Sequence, residues 1–350
     1  MRLCSLLAVV MLAVALIGCE KSDPNTELLQ SFHTQLAQPA YAKLVSVTEL
    51  NQARTQQCDP QNLASFLTDA QQSWRQTMAA WQEARVIRFG PIVEQRLDWE
   101  FQFWPDKKNL VAKKALALLK KDQPLDEQTL EKSSVVLHGL SALEFMLFDP
   151  SAQEKAQPER FCELTQWIGQ ALHTNAQRLQ KSWDQQSSEF LAPGDQSEFY
   201  PTFEVALGKI VDSYLITLEN VSKQKIGSVI GEHSESKANP YFLESWRSEN
   251  SWQNISANLI ATHRFFHEGG FLSYLQSLGH ESLATELNGA LLRVNQKSAQ
   301  VKAPLFSQLD EKSPALRELQ SAVINLKNLL KNKATDALNL PIGFNDNDGD

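Results

Sequence analysis

One stretch constrains this chain more than any other. Val135-Val136-Leu137-His138-Gly139-Leu140-Ser141-Ala142-Leu143-Glu144-Phe145-Met146-Leu147-Phe148 is apolar on every face except at His138, Ser141 and Glu144. A helix that is hydrophobic all round belongs in the middle of a bundle. A lone buried carboxylate costs far more to desolvate than packing returns, so Glu144 requires a cation, a metal or a proton. Three residues separate Ser141 from Glu144, which puts them on one helical face, with His138 a further turn back on the other side of Ser141. Two sources of compensation are open. Arg88 or Arg247 can supply a guanidinium that grips the carboxylate bidentately. Alternatively Glu144 holds a metal, for which Asp98, Glu100 and Asp106 offer further hard oxygens.

The surrounding sequence predicts an all-α protein. Glycine and proline are sparse at 14 each, and 42% of the 350 residues are hydrophobic, enough for two helical bundles packed against each other. With 33 basic against 41 acidic residues the net charge is −8, which argues against nucleic acid as a partner.

Taken in order, residues 1–19 predict an export leader: Arg2, an apolar run from Leu6 to Ile17, then Leu16-Ile17-Gly18-Cys19 in the pattern of a bacterial lipobox. Cys19 is the expected lipidation site. Glu20 follows it in place of aspartate, which points to the periplasmic side of the outer membrane, with the acylated cysteine inserted in lipid. Cys58 and Cys162 are then the pair left in an oxidising compartment, either as a disulfide or as two buried thiols.

Periodic apolar residues predict helices at about 28–50, from Asp59-Pro60 to about Arg85, 107–121, 126–148 and 157–186. Between them, Arg88 to Asp106 is rich in aromatics and broken by prolines, so it reads as a structured loop with one short helix. The polar run Asp184 to Glu198 divides an N-terminal bundle, 20–186, from a C-terminal bundle and tail, 199–350. Within the second, helices are expected near 202–223, 251–278, 281–298 and 312–334, with a loop from 227 to 240.

At Gly139-Leu140-Ser141-Ala142-Leu143-Glu144 the sequence resembles the imelysin family of bacterial envelope proteins, whose signature is Gly-x-His-x-x-Glu. Here serine stands where the signature has histidine. Phe103-Trp104-Pro105-Asp106, Trp246-Arg247-Ser248 and Gly343-Phe344-Asn345 followed by Asp348-Gly349-Asp350 resemble motifs of that family's lipoprotein branch. The resemblance implies a binding component in iron acquisition, with iron or an iron-containing compound as ligand and uptake machinery as partner. Its site is expected where the two bundles meet, with Glu144 and Asp106 toward metal and Ser141, His138, Arg88, Trp104 and Arg247 around the ligand. The family is also filed among peptidases; a peptidase or a non-binding envelope scaffold are the alternatives.

Residue chemistry does not support a peptidase. Gly139-Leu140-Ser141-Ala142-Leu143 lacks the second glycine of a nucleophile elbow, and mid-helix amides are already used. His263 and His267 are four apart but Glu268 is out of the zinc-peptidase register, so they read as surface or capping histidines. The ending Asp346-Asn347-Asp348-Gly349-Asp350 has its glycine one position off a calcium loop and no terminal glutamate.

Overall fold

A computed structural model describes residues 23–106, 108–120, 125, 127–231, 237–309 and 314–340. The expected leader, Cys19 and the acidic ending lie outside the described residues. The protein is all-α, with no strand among the described residues. None of their helices is long and apolar enough to cross a membrane.

Helix α1 runs without a break through Pro24–Ser31, a π-helical segment Phe32–Ala37, and Gln38–Thr55. It begins where Asp23 accepts the N–H groups of Asn25 and Thr26 and Pro24 occupies the first turn. Asp59-Pro60 forms a turn and not a helix start; α2 follows at Leu63–Ala84. The aromatic loop carries two short helices, Pro91–Glu94 and Leu97–Phe101, one more than expected. Helix α3, Gly139–Phe148, is the motif helix, and α4, Pro158–Leu191, continues well into the polar run expected to end it.

Helices α1, α2 and α4 form the first bundle, with α3 against α2 and α4. Where α4 crosses α1, a side chain on Gly169 would lie 2.0 Å from the Thr55 hydroxyl, so only glycine permits that approach. A disulfide joins Cys58, after α1, to Cys162, in the first turns of α4. The remaining long helices are α5 (Phe203–Glu219, prolonged by a π-helical segment Asn220–Gly227 and Ser228–Ile230), α6 (Ser251–His267), α7 (Glu281–Ser298) and α8 (Pro314–Asn328, prolonged by a π-helical segment Leu329–Ala334). The expected helix at 251–278 breaks between His267 and Phe271, and the expected loop at 227 begins only after Ile230. Helix α6 lies across α2. One buried apolar cluster extends from Leu28 to Ala334, taking in Trp74, Trp81, Trp183 and Phe265.

The central stretch is not one helix. Val135–Leu137 is a 3-10 turn, His138 is extended, and α3 starts only at Gly139, whose φ is +74°. The cause is a backbone crossing: a Cβ on Gly139 would lie 2.4 Å from the carbonyl oxygens of both Glu100 and Phe101. A positive φ at that point turns the chain and separates His138 from the helical face that carries Ser141 and Glu144.

Candidate functional site

A cavity of about 390 Å³ lies where α3, the aromatic loop and the segment before α6 meet. Helix α3 contributes Ser141 and Glu144. The loop contributes Phe103, Trp104 and Asp106, and the segment before α6 contributes Tyr241, Trp246 and Arg247. Five of the expected site residues, Ser141, Glu144, Trp104, Asp106 and Arg247, are thus brought to one wall system.

The expected ion pair is not what holds Glu144. Its Oε1 accepts the backbone N–H of Ser248 at 2.9 Å and the Ser248 hydroxyl at 2.8 Å. Among the described residues no guanidinium lies within ion-pair distance of it, and no donor reaches Oε2. Burial raises the Glu144 pKa; the two Ser248 bonds and Arg247 pull it back, and Glu244 adds to the rise. In the Trp246-Arg247-Ser248 motif the partner of Glu144 is thus the neutral serine and not the charged arginine.

Arg247 is committed elsewhere. Its Nε donates to Asp149 Oδ2 at 2.8 Å and a terminal nitrogen to Asn109 Oδ1 at 2.8 Å, while the guanidinium lies 4.3 Å from the centre of the Trp246 ring. Burial pushes Asp149 up, but Ser151 and Arg247 outweigh it and hold its carboxyl below the usual range. Asp106 is also engaged: its two oxygens accept the N–H groups of Leu110 and Val111 at 2.7 and 2.9 Å, fixing the start of the helix Leu110–Leu119. Ser141 donates its hydroxyl to the Phe103 carbonyl at 2.9 Å.

His138 and Arg88 are not on the cavity wall. His138 pairs with Glu100 at 2.6 Å. Arg88 lines a second, water-sized cavity that shares Trp104 with the first. Burial lowers its pKa, Arg85 adds to that, and Asp98 and Asp212 oppose it.

A second buried glutamate beside this site is invisible in the local sequence pattern. Glu244 Oε1 accepts from Arg85 at 3.1 Å, Gln82 at 3.1 Å and Gln102 at 3.0 Å, and its Oε2 lies 2.7 Å from Lys225 Nζ. Lys225 also donates to Gln82 Oε1 and Asn258 Oδ1. Burial pushes Lys225 down to about 8 against the pull of Glu244. For Glu244 burial acts upward, but Lys225 and Arg85 prevail and hold the carboxyl low. Gln102 belongs to both this network and the cavity wall, and the Trp104 ring faces Lys225 at 5.9 Å.

No group of three or more His, Cys, Asp and Glu poised to hold a metal occurs among the described residues. His263 and His267 stack with ring centres 4.4 Å apart, and Glu268 is taken by Arg264 at 2.6 Å.

A family model described as Imelysin matches residues 37–332. The chain belongs to the imelysin family. It is 27% identical over 243 residues to iron-regulated protein A of Synechococcus elongatus, an alignment that covers 67% of this chain. The chain spans 62% of that relative's length. An imelysin-like protein from Psychrobacter arcticum superposes with a TM-score of 0.78 at 21% identity, covering 92% of this chain and 98% of the other. An iron-regulated protein A precursor from Parabacteroides distasonis does so at 0.71 and 14%, covering 88% and 95%. These two likenesses establish that the imelysin fold is shared.

Proposed function

We propose that this imelysin-family chain is an envelope lipoprotein, held by acylated Cys19 at the periplasmic side of the outer membrane, that binds a ligand of iron acquisition in the cavity at Glu144. One observation carries the reading: a buried carboxylate with one oxygen that meets no donor among the described residues lines a cavity walled by Trp104, Trp246 and Tyr241. Concave, mostly apolar sites with a few placed polar groups are the usual form of a small-molecule site. The wall residues come from both expected bundles, Glu144 from the first and Arg247 from the second. The relative named iron-regulated protein A supports the link to iron.

The donor set favours an iron-containing compound over a bare ion. Asp106 is occupied with backbone, Ser141 donates to a carbonyl, and His138 pairs with Glu100 off the wall, which leaves Glu144 as the carboxylate on offer among the described wall residues. A compound that brings most of its own ligands needs no more than that from the protein. Delivery to uptake machinery in the envelope is the corresponding role.

Thermal unfolding of the purified protein with ferric iron, and separately with ferric complexes of small organic chelators, tests this. A complex at about 100 times its Kd should stabilise the protein by ~2.7 kcal/mol, and Glu144→Gln or Trp104→Ala should remove the shift. Absence of any shift in the wild-type protein with either form of iron overturns the reading. The anchor is tested separately: Cys19→Ala should move the protein from membranes to the soluble periplasmic fraction.

A further inference from the structure

Outside the cavity, three side chains fall into a sequence of contacts that the ligand-binding reading does not use. The Ser133 hydroxyl oxygen lies 3.3 Å from His138 Nε2, and His138 Nδ1 lies 2.6 Å from Glu100 Oε2. None of the three borders the cavity at Glu144. With an ionised carboxylate against Nδ1, that nitrogen carries the proton and Nε2 is left as acceptor for the hydroxyl. The hydrogen bond from His138 is the main cause that holds the Glu100 pKa down, so Glu100 is present as the anion.

The fold builds this arrangement from two distant segments. Gly139 sits directly on the backbone of Glu100 and Phe101, which brings the Glu100 side chain to His138. The extended backbone at His138 turns the ring back toward Ser133, which ends the short helix Glu127–Glu131 by a bond from its N–H to the Leu130 carbonyl. Trp167 packs edge-on to the imidazole at 4.8 Å and fixes its plane. The His138 and Glu100 side chains retain 12% and 32% exposure, and Ser133 is half-buried, so the cluster lies at the edge of the protein and not in its core. A histidine that only anchored this turn needs one partner. Here both ring nitrogens are engaged, acid on one side and hydroxyl on the other, in the order that activates a serine nucleophile.

We infer that Ser133, His138 and Glu100 form a serine hydrolase triad acting on small carboxylic esters. Ser133 Oγ attacks the ester carbonyl carbon while its proton passes to His138 Nε2. Collapse of the tetrahedral intermediate breaks the bond to the leaving alkoxide, which takes that proton and departs as the alcohol. Water then gives a proton to Nε2 and attacks the acyl carbon. The bond to Oγ breaks, Oγ recovers the proton, and the carboxylic acid leaves. Glu100 stabilises the imidazolium formed in each half. The Ser134 N–H follows the nucleophile directly, the backbone position from which an amide can meet the developing oxyanion. The O–N distance is at the loose end for a nucleophile and its base, as is usual before substrate binds.

The test uses the purified full-length protein with a fluorophosphonate probe and with p-nitrophenyl acetate. The expected result is probe attached to Ser133, located by peptide mass mapping, together with ester hydrolysis above the buffer rate. Ser133→Ala should lose both, and His138→Gln and Glu100→Gln should each slow labelling by about 10²- to 10⁴-fold. Because labelling is read on the wild-type chain, poor folding of a variant cannot hide the answer. No probe on Ser133, or hydrolysis undiminished in a folded Ser133→Ala protein, overturns the inference.

Discussion

Glu144 and Glu244 are buried to nearly the same degree, 5% and 2% exposed, yet their surroundings differ completely. Glu244 sits between Arg85 and Lys225, with Gln82 and Gln102 filling its remaining acceptor capacity. Glu144 has a single serine, which supplies one backbone and one hydroxyl donor to the same oxygen. A carboxylate enclosed by two cations is a structural joint, since neither charge can leave without stranding another. A carboxylate held by neutral donors on one oxygen keeps its other oxygen for something that is not protein. The difference makes Glu244 a structural joint and leaves Glu144 as the carboxylate on which the proposed ligand site rests, although the two lie close enough for Glu244 to raise the pKa of Glu144.

The comparison breaks first at Glu244. Glu244→Gln leaves Arg85 and Lys225 without their anion and should destabilise the protein by about 3–5 kcal/mol in urea unfolding; a loss below ~1 kcal/mol would put both glutamates in the same class. Removing the Cys58–Cys162 disulfide, which shares no hydrogen-bond or ion-pair partner with either carboxylate, gives the scale for a loss unrelated to charge and should cost about 2–5 kcal/mol. Gly139→Ala should cost about 2–4 kcal/mol, from the left-handed backbone and the contact with Glu100 and Phe101. Near-UV circular dichroism should report the accompanying shift of Trp167 against His138.

Glu144→Gln is the smallest and most telling change, because glutamine can still accept from Ser248 and no arginine is stranded. Its effect at neutral pH should stay within about 1 kcal/mol. The pH dependence sharpens it. Burial raises the pKa of Glu144 above its ordinary value of 4.5. As pH climbs from that value toward the folded-state pKa, the unfolded chain releases its proton first. The wild-type protein should therefore lose stability relative to Glu144→Gln across that interval and run parallel above it. Urea midpoints of both proteins between pH 4 and 8 measure this, and an opposite slope would mean that a cation does hold the carboxylate.

Much of the fold was legible because helices announce themselves through local periodicity. The 281–298 helix matches Glu281–Ser298, and the helix expected to end near Arg85 ends at Ala84. The errors came where a distant segment decides a local conformation. Nothing within the stretch 126–148 discloses that Gly139 must cross the backbone at Glu100, so the pattern reads as one helix and puts His138 on it, whereas the residue is extended and precedes the helix. The composition of the cavity was legible through its motifs, which named Trp104, Asp106 and Arg247. Their roles were not, because Asp106 is engaged by amides four and five residues on and Arg247 by Asp149, 98 positions away. The Glu244 network left no trace at all: Arg85 and Glu244 are 159 residues apart, and Lys225, next to Gln224 and two residues from Lys223, looks like any solvated helix residue.

The π-helical segment Asn220–Gly227 that carries Lys225 has a bearing on how this chain can change. A wide turn absorbs an extra residue that would otherwise rotate every later side chain by about 100° around the helix. A one-residue deletion between Asn220 and Lys225 that the wide turn does not take up would swing the ammonium away from Glu244, leaving an anion enclosed beside Arg85 alone. The position of one charge in the core is therefore encoded in the length of the helix as much as in the identity of the lysine, and a single-residue deletion there should be harsher than any substitution of its exposed neighbours.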